Sequence, residues 1–290
     1  MNDKTSKLRA LIESRLKAHQ ENAFDKLYDG LTKLQQDYSR QKLFYLFAIS
    51  SRWFSRETVS IPDDVLAEWQ EIDCWSVLIN WQSVQLARLY ILLLHSERTE
   101  DTVFADDVNE LFKSADVNEL VLLVYALNFF PRPDIFVERA REAARSNIGT
   151  VFSAVAHNSD YAMRYFDDSG WNQLVLKAAF LAVPIWSIVG LEERNNAELV
   201  AMLKHYVWER QAASRTVPWD IWRCIAWQAK TPKDFDYLRT QFDGASVKEL
   251  AAIKLALSEN KNAESQALAD QLVLGGSKNL LSWPAIESEP

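Results

Sequence analysis

An all-α fold is what this sequence predicts, and three observations carry the prediction. Gly and Pro number 7 and 8 among 290 residues, less than half of what an average usage of about 12% would supply. So few breakers disfavour sandwiches, barrels and Gly-rich α/β folds, which need many tight turns. Apolar residues recur at three- and four-residue steps almost everywhere, and no window of five or more residues alternates as a half-buried strand would. Recognisable helix-start signals stand in front of these periodic runs.

Taken in chain order, residues 1–17 mix charges with apolar side chains and lack the apolar core and cleavage site of a secretory leader. Ser60-Ile61-Pro62-Asp63 reads as a helix start. Trp75, Leu78, Ile79, Leu86, Leu89, Tyr90 and Leu93 keep one helical period. His95 closes that run, where a cationic imidazole would suit the helix dipole. Asp116-Val117-Asn118-Glu119 is a capping box ahead of Val117, Leu120, Val121, Val124 and Leu127. Pro131, Pro133, Pro184 and Pro218 fall between periodic segments, and any seam in the chain is expected near 131–133. Asn195-Asn196-Ala197-Glu198 opens a helix with Leu199, Leu203 and Tyr206 on one stripe. Trp208 lies nearly opposite, with His205 beside it. Thr231-Pro232-Lys233-Asp234 puts Pro at the first helical position, and Ser246-Val247-Lys248-Glu249 is a second capping box.

These elements give one helical domain over residues 1–274, about a dozen or more helices of ordinary length. Residues 275–290, beginning Gly275-Gly276-Ser277, read as a loosely held tail. A helix apolar on two sides suits layers better than a simple bundle, so the expected architecture is a multi-helix curved stack, an α-solenoid or HEAT-like array. No period is visible. The DVNEL at 107–111 and again at 116–120 reads as two cap signals, not a repeat.

The net charge is −8, which disfavours a nucleic-acid surface and contact with anionic lipids. The longest uncharged stretches, 74–87 and 178–191, fall short of the ~18–20 residues of a spanning helix. Cys74 and Cys224 read as reduced packing residues of a cytoplasmic protein. Phosphate loops, nucleophile elbows, HExxH and Cys-x-x-Cys are missing, and His19, His95, His157 and His205 are scattered, so no metal or cofactor is expected.

Segment 147–177, NIGTVFSAVAHNSDYAMRYFDDSGWNQLVLK, is the most informative. Helical geometry places Asn147 on the stripe of Phe136, Ala140 and Ala143, and Asn172 on that of Leu176 and Ala179. A polar amide there must find partners. His157-Asn158-Ser159-Asp160-Tyr161 reads as a polar loop between them. One reading is a pocket, with Asn147, His157, Asn158 and Asn172 as donors and acceptors and Tyr161 and Trp171 as walls. The plainer reading is a buried polar network tying the loop to two helices. Asp167-Asp168 reads as helix capping, and Lys177 as a solvated lysine that would otherwise offer a ligand an ammonium. His205 reads as a packed histidine. Trp208, Trp219, Trp222 and Trp227 either fill gaps between helices or wall a site for a flat aromatic or isoprenoid ligand. Arg223 would clamp an anion or stack on an indole.

That segment resembles the signature of the EboA family, a run close to "TN, VFEAVAHxNPYP, WNQMVLKALF". Asn147, Val151-Phe152, Ala154-Val155-Ala156-His157-Asn158, Tyr161, Trp171-Asn172-Gln173 and Val175-Leu176-Lys177 match it. Gly190-Leu191, Arg194-Asn195, Ala197-Glu198-Leu199 and Trp222-Arg223-Cys224 fit downstream. Trp81, Gln85, Ala87-Arg88 and Leu92-Leu93-Leu94 fit the family's "W, DQAAR, LLL" helix upstream. The resemblance spans about residues 43–272. Ser159 and Ala162 replace both prolines of the NPYP turn, and Val84 stands where the family helix tends to carry Asp.

The resemblance implies a bacterial gene cluster that makes or moves secondary metabolites. It also implies neighbours of several kinds: a UbiA-like prenyltransferase, a sugar-phosphate cyclase, an isomerase-like barrel protein, a TatD-like hydrolase and a phosphodiesterase-like protein. Two functions follow as expectations. The first is a non-catalytic helical accessory protein holding a partner enzyme or a small metabolite. The second is an enzyme of the same pathway acting on a cyclitol- or prenyl-type metabolite around His157. The candidate ligand-binding residues are Gln85, Arg88, Asn147, His157, Asn158, Tyr161, Trp171, Asn172, Lys177 and Arg223.

Overall fold

The computed structural model describes residues 3–260, 262–274, 280 and 282–289. It is 75% helical, with no strand among the described residues. The chain divides into two compact units, Met1–Phe166 and Asp167–Pro290. Among the described residues, no helix is long and apolar enough to cross a membrane.

The first unit contains α1 (Asp3–Gln36), α2 (Arg40–Trp53), α3 (Asp63–Gln70), α4 (Ser83–Arg98), α5 (Asp101–Ser114), α6 (Val117–Ala126), α7 (Val137–Arg145), α8 (Gly149–Ala156) and α9 (Tyr161–Tyr165). Its centre is α4, where every residue from Leu86 to His95 is buried. Helices α1, α2, α5 and α6 pack around it, which is the environment an all-round apolar helix requires. Helix α1 buries Leu8, Ile12, Leu16, Phe24, Leu27 and Leu31 along one stripe. It breaks at Gln20 (φ −148°, ψ 66°), whose amide donates to Ser55 Oγ at 2.6 Å and accepts from the Ser55 N–H at 3.1 Å. A Cβ on Gly30 would come within 2.6 Å of Leu46 Cδ1, so the absent side chain is what lets α1 and α2 approach here.

The second unit contains α10 (Asp168–Leu181), α11 (Leu191–Arg194), α12 (Ala197–Ala212), α13 (Trp222–Trp227), α14 (Pro232–Thr240), α15 (Val247–Glu259), α16 (Ala263–Gln271) and α17 (Trp283–Glu287). Helix α15 is its hub. It buries Ala251, Ala252, Ile253, Ala256 and Leu257, and packs on α13, α16 and α17. Small side chains on that face allow the close approach. Helix α10 packs on α12, and α12 on α13.

Several expectations change here. Helix α12 buries Leu199, Val200, Leu203, Tyr206 and Val207 but leaves Trp208 63% exposed. It is therefore one-sided, so the two-sided helix on which the curved-stack expectation rests is not found at α12. Near 131–133 there is a turn internal to the first unit, because the Pro133 carbonyl accepts from the Tyr161 hydroxyl. The units part instead at Phe166–Asp167. Gly275-Gly276-Ser277 of the expected tail lies outside the described residues. Residues 283–287, however, form α17, docked on α15 with Trp283 and Ile286 buried.

The cap signals mostly hold. Asp116 with Glu119, Thr231 with Asp234, and Ser246 with Glu249 form reciprocal boxes, while Asp167 and Asn196 cap α10 and α12. Pro62 precedes α3 without a side-chain cap. The first DVNEL is not a cap signal, since Asp107 lies inside α5 and is 1% exposed.

Candidate functional site

The first unit holds six of the residues singled out by sequence. Gln85 closes the α4 capping box, its Oε1 accepting from the Gln82 N–H at 2.9 Å. Arg88 donates to Glu119 at 2.6 Å and to the Phe47 carbonyl at 3.2 Å, with its guanidinium 4.8 Å from the Phe47 ring. It thereby ties α2, α4 and α6 together. Asn147 is exposed, because α7 ends at Arg145 and Ser146 turns extended, so the stripe never reaches residue 147. His157 is half-buried at the end of α8, and its N–H donates to the Ser153 carbonyl at 2.8 Å. Asn158 is exposed in the left-handed region (φ 56°), where its amide meets the Tyr125 hydroxyl. Tyr161 is fully buried against the Pro133 carbonyl.

The loop joining these residues is stitched down. Ser159 Oγ donates to Asn128 Oδ1 at 2.9 Å and accepts from the Tyr161 N–H at 3.2 Å. The Cys74 thiol donates to Asp160 at 3.4 Å, and burial pushes its pKa up to about 11. A thiol in that state is a poor nucleophile.

The second unit holds the other four. Asn172 is 1% exposed and forms a reciprocal amide pair with Asn196, donating at 3.3 Å and accepting at 2.8 Å. Asn196 is itself the α12 cap, accepting from the Leu199 N–H at 2.9 Å. Trp171 is fully buried, with the Arg194 guanidinium 5.3 Å from its ring. Lys177 is half-buried on α10. Arg223 grips Glu192 at 2.5 and 2.7 Å, donates to the Trp186 carbonyl, and stacks 4.9 Å from the Trp283 ring. The anion it clamps among the described residues is thus a side chain of its own unit.

The same unit also holds a groove, of whose walls the sequence reading anticipated only Trp219. It has a volume of about 330 Å³ and lies between the end of α10, the face of α12 and the stretches 182–186 and 216–220. Phe180, Trp186, Tyr206 and Trp219 supply aromatic walls. Phe180 is 62% exposed and meets Tyr206 edge-on at 4.8 Å. Tyr206 is fixed from behind, its hydroxyl donating to the Ala179 carbonyl at 3.2 Å. Ala182, left-handed at φ 53°, caps α10 and turns the chain into the 183–186 stretch. A non-glycine residue in that region carries a strain of about 1 kcal/mol or more.

Asp220 anchors the same stretch, with Oδ2 accepting from the Ile185 N–H at 2.6 Å and the Trp186 N–H at 3.2 Å. Burial pushes its pKa up to about 6, while those two N–H groups pull the other way. The Trp186 indole N–H is buried without a hydrogen-bond partner among the described residues. Arg210 also lines the groove, its Nε donating to the Thr216 carbonyl at 2.8 Å. Aromatic walls with a few convergent polar groups and a displaced carboxyl pKa are the usual marks of a small-molecule site. The cavity of about 340 Å³ between Phe112, Val124 and Val151 has Phe112 as its one aromatic wall beside Arg139, Glu142, Arg145 and Ser146. Its Arg139 is already engaged by Glu142 at 2.6 Å and Asn109 at 2.7 Å.

A second polar centre also escaped the sequence reading. Asp107 accepts from the Tyr38 hydroxyl, from Arg40 Nε at 2.6 Å, and from His95 Nε2 at 2.8 Å. The His95 ring stacks on Tyr38 with centroids 5.4 Å apart. Burial lowers the His95 pKa although Asp107 opposes it, which works against the cationic imidazole expected at this helix end. His205 is likewise not packed inside, being exposed beside Trp208 and Glu209. Among the described residues, no three His, Cys, Asp or Glu side chains group as a metal site.

Each unit is thus a helical scaffold in which the motif side chains brace loops and caps, and the second unit also holds an open aromatic groove. The model of the family described as metabolite traffic protein EboA matches residues 5–226, and the chain belongs to that family. Neither a curated protein nor a solved structure matches it.

Proposed function

We propose that this protein holds a small metabolite in the groove of its second unit and hands it on unaltered, as a non-catalytic accessory of a secondary-metabolite pathway. The family description supplies the traffic role. The observation that carries the reading is that Arg223 and Asp220 both fasten the Trp186 stretch that walls the groove. A volume of about 330 Å³ falls at the lower end of small-molecule sites, about 300–1,000 Å³. Cytoplasmic residence and contact with the UbiA-like, cyclase-like, isomerase-like or TatD-like neighbours belong to the same proposal, since a carrier must meet the proteins that load and unload it. The reading as a pathway enzyme acting through His157 draws less support, because the loop around that residue is committed to backbone and side-chain partners.

The test is mass spectrometry of small molecules extracted from protein purified from its own cells, compared with a Val217→Trp variant that fills the groove. A species present with the wild type and lost with the variant is the expected result. Equal recovery from both would overturn the reading.

A further inference from the structure

The groove also carries information about its occupant. Asp220 and Glu287 line it together with the single guanidinium of Arg210, so acidic groups outnumber basic ones. Asp220 is 5% exposed, and two backbone N–H groups hold its Oδ2. Glu287 is near enough to press on its ionisation. Arg210 is drawn aside, bound to the Thr216 carbonyl and 5.9 Å from the Tyr206 ring. The walls between these charges are aromatic, and the negative faces of such rings attract cations.

We infer that the groove selects a compact aromatic molecule bearing a protonated amine, its ammonium against Asp220 and its ring among Phe180, Trp186 and Trp219. The inference rests on the carrier reading and names the ligand class for that same groove. Three forces act together on such a ligand. A charge-assisted hydrogen bond forms at a desolvated carboxylate, cation–π attraction comes from the walls, and flat apolar surface is buried. An anion of the same shape would meet two carboxylates, and a neutral analogue would forgo the charged contact. The Arg210 end remains open to a hydroxyl or carbonyl oxygen of a larger ligand.

The experiment titrates the full-length protein with 2-phenylethylamine, 2-phenylethanol and phenylacetate at pH 7.5, followed by ligand-observed NMR. The amine is expected to bind most tightly. Asp220→Asn is expected to weaken it about 30-fold or more while leaving the alcohol within about threefold. Should Asp220→Asn fail to fold, Glu287→Gln at the surface and Trp219→Ala serve in its place, each expected to weaken the amine by about 2–30-fold. Equal binding of amine and alcohol, tightest binding of phenylacetate, or no binding of the amine overturns the ligand class. The carrier reading falls separately, by equal recovery of cell-derived species from wild type and Val217→Trp.

Discussion

Asp220→Asn isolates the energetic cost that the groove places on the fold. The wild-type carboxyl is moved from 3.8 to about 6 by burial, with Glu287 adding repulsion and the Ile185 and Trp186 N–H groups opposing. Cys224, also buried, feels the same carboxylate. Between those two pH values the folded chain keeps a proton that the unfolded chain has released. Stability from this group is therefore full below the unfolded value and is lost as pH rises through the folded one. The displacement corresponds to about 3 kcal/mol. Asn does not titrate, so the variant escapes the loss. Asp107 and Asp234, both held below their ordinary values, act in the opposite sense but are common to both proteins and cancel in the difference. Urea unfolding of both proteins, followed by indole fluorescence between about pH 4 and pH 7.5, reads the effect. The stability difference should shift in favour of the variant by about 3 kcal/mol across the window and level off above it. A difference that does not change with pH, or that shifts toward the wild type as pH rises, would refute the reasoning.

Four further outcomes follow from the other polar centres. Asn172→Ala removes both hydrogen bonds of the pair with Asn196, at about 0.5–1.5 kcal/mol each, read as a lower melting temperature. Asp107→Asn removes the group that raises the His95 pKa against burial, so the imidazole should titrate at still lower pH, as followed by NMR of its ring protons. In the wild type, His95 makes stability fall as pH drops below 6.5, where the unfolded chain takes up the proton first. Arg223→Lys keeps the charge but loses the fork that reaches both Glu192 and the Trp186 carbonyl. It should leave helix content unchanged by circular dichroism while reducing recovery of the bound species.

Much of the fold was legible because helices advertise themselves locally. Periodicity and capping boxes depend on residues three or four apart, so Asp116, Thr231 and Ser246 could be placed from sequence alone. The motif residues were legible as important but not in what they touch. In sequence Asn172 reads as a pocket amide and Asn196 as a cap, and only the fold joins them across 24 residues. Asn147 misled because the stripe was extended past Arg145, where Ser146 ends the helix. Asp107 was hidden by its resemblance to a cap signal, although a carboxylate in the middle of an apolar helical pattern was a usable hint of buried partners. The groove was illegible for a different reason. Its walls come from α10, α12 and two loops, and no local pattern brings Phe180, Tyr206 and Trp219 together.

A crystal structure of the protein with the molecule that co-purifies with it tests the central claim most directly. Density for that molecule should lie between Phe180, Trp186 and Trp219, with a polar atom on Asp220. Density seated elsewhere, such as the cleft beside Arg139 and Phe112, with the aromatic groove left to solvent, would contradict the account.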